Sequence, residues 1–162
     1  MKKVQANFTV NQKELEFLQF VQKFWDVYQH DELDGNDEEE FYSHTLKTSD
    51  EETQEILDSL DEKGLIIIPF MENVHVKNTI IGTIMANDNL LNYSHTFNFM
   101  NDEIEVMEDF TNFNVDVKNE EEKDVKFNEK TMKTLLENNM LMQGINEEIF
   151  VPTTLAIKLF SK

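Results

Sequence analysis

Arginine and cysteine are absent from this chain, and proline and glycine number only two and four. Each absence removes a class of chemistry. Without Arg there is no forked donor for phosphate or guanine. With fourteen lysines against thirty-three carboxylates the formal charge is −19, so few cations exist to displace counterions from a nucleic-acid backbone. Direct binding to DNA or RNA is therefore not expected. Without Cys there is no disulfide framework and no thiolate nucleophile or ligand, a usage that fits a reducing compartment. Four scattered glycines cannot build a phosphate-cradling loop, and no Gly-x-Ser-x-Gly elbow occurs. The longest apolar run, Leu65 to Ile68, is far short of a bilayer span, and Met1-Lys-Lys-Val-Gln-Ala lacks the apolar segment of a signal peptide. The expected location is the cytoplasm, that of the host if the protein is phage-encoded. Lys without Arg, with abundant Asn and Phe, fits the AT-rich coding of a low-GC bacterium or its phage.

What is present can fold. A hydrophobic content of 40% with thirteen phenylalanines over 162 residues supplies a core for one domain or two small ones, which a disordered acidic tail would lack. Phe17, Leu18, Val21, Phe24, Trp25 and Tyr28 form one apolar stripe, predicting a helix over 11–28 with Asn11 and Glu14 as a capping box. The charge run Asp31 to Glu40 reads as a loop leading to a short helix at 41–47. Ser49 and Glu52 cap a second strong helix with Ile56, Leu57 and Leu60 on its core face and Gly64 as its stop. Leu65 to Ile68 reads as a buried strand ended by Pro69, followed by a turn at 71–73 and an extended segment at Val74 and Val76. Residues 79–86 fit strand or helix equally.

From Leu90 to Val117 the period changes. Tyr93, His95, Phe97 and Phe99 alternate, as do Phe113, Val115 and Val117, with Ile104 and Val106 between them, which predicts an antiparallel meander. Asn128 is placed to cap a helix carrying Met132, Leu135, Leu136 and Met140, ending at Asn138-Asn139. A strand pair around Leu141-Met142 and Ile149-Phe150-Val151 and the apolar tail Leu155 to Phe160 complete the chain. The class is α+β, divided at 1–86 and 87–162, the two parts packing as one globule.

Helix, short helix and capped helix, then Lys63-Gly64-Leu65-Ile66 into two strands around a turn, is an order that resembles a winged helix. The end of the chain loosely repeats it: Glu72 to Ile80 aligns with Glu147 to Leu155. The resemblance implies a third helix placed for the major groove. Here that helix, Ser49 to Glu62, carries no base, so phosphates would repel it.

The acid is clustered. Residues 31–62 hold fourteen carboxylates and one lysine, and residues 101–123 hold nine and two. Glu51, Glu55, Asp58 and Glu62 fall on one helical face opposite the apolar one. Their steps along the axis are about 4.5 to 6 Å, comparable in scale to the roughly 3.4 Å rise between phosphates of a DNA strand. Such like-charge spacing costs helix stability, a few tenths of a kcal/mol per pair. The other reading is a solvated face serving solubility. With Asp31, Asp34, Asp37, Glu38, Glu39 and Glu40, and with Asp102, Glu103, Glu105, Glu108 and Asp109, these four are the candidate partner-binding residues.

Other chemistry is poorly supported. His30 to Asn36 approximates a calcium loop around Gly35, but His30 and Phe41 occupy the two end positions where acids should sit. His30, His44, His75 and His95 show no metal-ligand spacing. Carboxylate pairs are too abundant to mark acid–base catalysis. Phe97, Phe99, Phe110, Phe113 and Met140 to Met142 fit a core or an adaptable binding surface.

The reading that follows is a non-enzymatic acidic protein without cofactor, metal or membrane. Its carboxylates imitate DNA charge and inhibit a basic nucleic-acid-binding protein. In character it resembles phage-borne acidic inhibitors of nucleases, polymerases or restriction systems. Two alternatives are a winged-helix-like regulator or adaptor working through protein contacts, and a divalent-metal hydrolase using the acidic cluster.

Overall fold

The structure, a computed structural model, describes residues 1–28, 47–68, 76–112, 129–143 and 150–160, with the side chains of 24–28, 111, 112 and 143 excepted. In chain order the elements are β1 (Lys2–Thr9), α1 (Gln12–Tyr28), α2 (Asp50–Glu62), β2 (Ile66–Ile67), β3 (Lys77–Asn78), α3 (Ile80–Asp88), β4 (Asn92–Phe99), α4 (Asn101–Asn112), α5 (Glu129–Glu137), β5 (Leu141–Gln143), β6 (Phe150–Pro152) and α6 (Thr154–Phe160). Helices and small two-stranded sheets make the protein α+β. Two compact units divide it: Phe8–Tyr93, and Met1–Asn7 with Ser94–Lys162.

In the unit Phe8–Tyr93, α1 packs against α2, β3 and α3. Its Leu15, Phe17, Leu18 and Val21 are buried, as the apolar stripe requires; the side chains of Phe24, Trp25 and Tyr28 lie outside the described residues. Each fully buried Leu or Phe contributes roughly 1.5–3 kcal/mol through removal of apolar surface from water. Helix α2 begins where Ser49 accepts the Glu52 N–H, 3.1 Å, and ends at Gly64, whose φ of 75° suits a residue without Cβ. Strands β2 and β3 are antiparallel, Ile66 opposite Asn78 and Ile67 opposite Lys77. Residues 80–88 are helical, capped by the Thr79 hydroxyl on the Gly82 N–H, 3.3 Å. Gly82 is required by a close approach: a Cβ there would lie 2.2 Å from the Leu65 carbonyl oxygen.

The second unit repeats this plan. Helix α4 packs against α5, β6 and α6, the partners that α1 finds in α2, β3 and α3. Gly64 corresponds to Asn139, φ 60°, and Leu60 to Leu135; the Leu65 N–H reaches Leu60 at 3.0 Å as the Met140 N–H reaches Leu135 at 2.8 Å. The Thr79 hydroxyl donates to Gly64 at 3.0 Å, and the Thr153 hydroxyl to Asn139 at 2.5 Å. The Thr79 N–H meets Leu65, and the Thr153 N–H meets Met140, both at 3.0 Å. Ala156 donates its N–H to the Thr153 hydroxyl, 3.2 Å, where Gly82 does so to Thr79. The strand register also repeats, Leu141 opposite Pro152 and Met142 opposite Val151. The repeat expected from the sequence is thus present but shifted by one residue: Thr79 matches Thr153, not Thr154.

Two expectations are corrected. Residues 101–112 form a helix, so the meander predicted across 90–117 does not exist there: Glu103, Val106, Met107 and Phe110 are buried at helical spacing, which the Ile104–Val106 alternation concealed. Strand β4 pairs instead with β1, an element not expected, whose exposed Lys3, Gln5, Asn7 and Thr9 alternate with more buried residues. Phe113, Val115, Val117, the 41–46 segment, the turn at 71–73 and Val74 lie outside the described residues. Within β4, Phe97 and Phe99 stack with centroids 5.9 Å apart, and Phe99 meets Phe160 edge-on at 4.9 Å.

Candidate acidic interface

Helix α2 is acidic on the outside for the reason it is apolar on the inside. Thr53, Ile56, Leu57 and Leu60 are buried, and the Thr53 hydroxyl returns to the Ser49 carbonyl at 2.9 Å. Glu51, Glu55, Asp58 and Glu62 are all exposed on the other side. Asp58 accepts from Gln54 at 2.8 Å. Among the described residues no ion pair involves any of these four. Asp50, Glu51 and Glu52 complement the helix dipole at the N-terminus, while no base offsets the carboxylates of the last turn.

The neighbouring lysines are engaged elsewhere. Lys13 pairs with Glu52, which raises the pKa of its ammonium. Lys63, the first base after the helix, turns inward and donates to both oxygens of Glu14, at 2.9 and 3.0 Å. Glu14 is 2% exposed. Burial pushes its carboxyl up. The Ser59 hydroxyl at 2.6 Å, the Asn11 N–H at 2.9 Å and the Lys63 ammonium outweigh that and hold it below its usual range. Asn11 and Glu14 also complete the expected capping box, since the Glu14 N–H meets the Asn11 side chain at 2.8 Å.

The remaining candidates separate. On α4, Asp102 and Glu105 are exposed and Glu108 and Asp109 half-buried, all on a helix rather than in a meander. Glu103 is only 6% exposed and accepts the Met100 N–H at 2.9 Å. It is the counterpart of Glu14 as an N-terminal cap and does not belong to a surface. Asp31, Asp34, Asp37, Glu38, Glu39 and Glu40 lie outside the described residues, as do His30, His44 and His75 and the loop around Gly35. His95 stands half-buried with its ring 4.5 Å from that of Phe97, and burial lowers its pKa. Of the Phe and Met set, Phe97, Phe99, Phe110, Met140 and Leu141 are buried. Among the described residues no group of three His, Asp or Glu side chains could hold a metal ion, and no helix is long and apolar enough to cross a membrane.

The Glu14–Ser59–Lys63 cluster could not be read from sequence spacing, because its members are 45 and 49 residues apart. No family model, no curated protein and no solved structure matches this chain.

Proposed function

We propose that this is an acidic, non-catalytic interaction protein that inhibits a basic nucleic-acid-binding protein by presenting carboxylates where that protein expects phosphates. The observation that supports this reading is the α2 face. Four exposed carboxylates follow one another along a capped helix, and Lys63, which follows it in the chain, pairs with Glu14. Fixed negative charge on a stiff element steers a cationic cleft and holds it without side-chain rearrangement. In the other unit, Asp102, Glu105, Glu108 and Asp109 of α4 are further candidates for such contacts. The cysteine-free composition supports action in the cytoplasm.

The test begins with capture of binding proteins from a low-GC bacterial lysate, eluted by salt and identified by mass. The variant Glu51→Gln, Glu55→Gln, Asp58→Asn, Glu62→Gln is then compared with wild type at two ionic strengths. Slower association and a flatter salt dependence are expected. Unchanged kinetics in a folded variant would reduce this face to solvated surface.

A further inference from the structure

In a chain where carboxylates abound, β4 has none: Asn92 to Phe99 contains no Asp, Glu, Lys, Pro or Gly. Its pairing with β1 is fixed by the Val10 N–H on the Leu91 carbonyl, 2.9 Å, and by side-chain contacts of Thr9 with Asn92 and Ser94 with Asn7. Residue numbers fall on one strand as they rise on the other, so the pair is antiparallel. In such a ladder backbone groups point alternately toward and away from the partner strand. Those of Ser94, Thr96 and Asn98 therefore point away from β1, and their side chains are exposed. Among the described residues β4 pairs with no strand but β1.

Open strand edges template association, and proteins ordinarily block them with lysines, prolines, bulges or short length. The outer edge of β1 carries Lys2 and Lys3; that of β4 carries no such guard over eight residues.

We infer that the outer edge of β4 pairs with the same edge of a second copy of this chain, giving a four-stranded sheet in a homodimer. Two molecules of charge −19 repel over acidic surfaces, and this uncharged edge lets them approach. The edge is also self-complementary. With the two-fold axis at Thr96, Thr96 faces its own copy and Ser94 faces Asn98, pairings in which small hydroxyl and amide side chains hydrogen-bond across strands. The dimer is independent of the acidic interface and carries the opposite salt signature. Added salt screens repulsion and strengthens it, whereas salt weakens the capture of a basic partner.

The absence of native cysteine makes the test direct. Facing residues of a hydrogen-bonded antiparallel pair have Cα atoms about 5.5 Å apart, within disulfide range. Thr96→Cys in the full chain should form a covalent dimer under mild oxidation about tenfold faster than Gln5→Cys on the guarded edge of β1. Sedimentation of wild type should show dimer growing with concentration and with salt. Thr96→Lys, which sets two like charges face to face, should weaken it about tenfold or more. Should Thr96→Lys fail to fold by circular dichroism, Ser94→Lys asks the same question. Wild type that stays monomeric at about 200 μM in high salt, or equal crosslinking of the two cysteine variants, overturns the inference.

Discussion

The Lys63 ammonium bridges both oxygens of Glu14, at 2.9 and 3.0 Å, linking the residue that ends α2 to the residue that caps α1. A helix start and a helix stop forty-nine residues apart are thereby fastened at one point, with the Ser59 hydroxyl as a third member.

Removing either the acid or the base should be costly, because each leaves the other without its partner. Glu14→Ala discards the cap and leaves Lys63 and Ser59 without their acceptor, an expected loss of about 2–3 kcal/mol. Lys63→Met leaves the buried Glu14 carboxylate with the Ser59 hydroxyl and the Asn11 N–H but without its cation, and a comparable loss of about 2–3 kcal/mol is expected. Urea denaturation with an unchanged m-value would measure both.

The same carboxyl sets an acid limit. Its folded pKa lies below its ordinary value of 4.5, so the unfolded chain takes up this proton first as pH falls. The stabilisation is complete above that value and is lost as pH drops through the lower folded pKa. Glu14→Gln should flatten the fall in melting temperature below about pH 4.5; an unchanged acid limb would remove Glu14 from the account.

His95 acts in a different window. Burial lowers its folded pKa from 6.5, so protonation is easier in the unfolded chain, and the contribution present above 6.5 declines as pH falls beneath it. His95→Gln should therefore reduce the slope of stability against pH between about 7.5 and 5.5. A slope identical to wild type would contradict it.

The two threonine caps should behave alike. Thr79→Val and Thr153→Val each remove a hydroxyl that donates to a helix-end carbonyl and accepts the N–H opening the next helix. About 1–2 kcal/mol is expected for each, nearly additive in the double variant, with Thr→Ser largely neutral. Gly82→Ala should be worse, about 2–3 kcal/mol, because the added methyl meets backbone at 2.2 Å.

Local signals were legible. Ser49 with Glu52, Asn11 with Glu14, Gly64, and Asn138-Asn139 mark helix ends by chemistry acting over three or four residues, and the structure has those ends. Residues 104–106 were not, because two apolar residues one apart fit a strand as well as a helix; only the burial of Glu103, Met107 and Phe110 decides. Glu103 looked like surface charge because Met100, whose N–H it accepts, is not a usual capping residue. The α2 face was visible as a face. The inward turn of Lys63, which leaves it unneutralised, was not, since that depends on a contact far along the chain.

The division of the chain has a consequence for its birth. Lys2 to Asn7 belong with Ser94 to Lys162, yet the whole of Phe8–Tyr93 is synthesised between them. The earlier unit can fold during translation, while those six residues wait for β4 to emerge. The earlier unit's own Val10–Leu91 and Thr9–Asn92 contacts already hold the two strand ends together, so the six residues zip onto β4 only when its remainder has been made. A strand made early and seated late is a strand exposed to other partners in the interval.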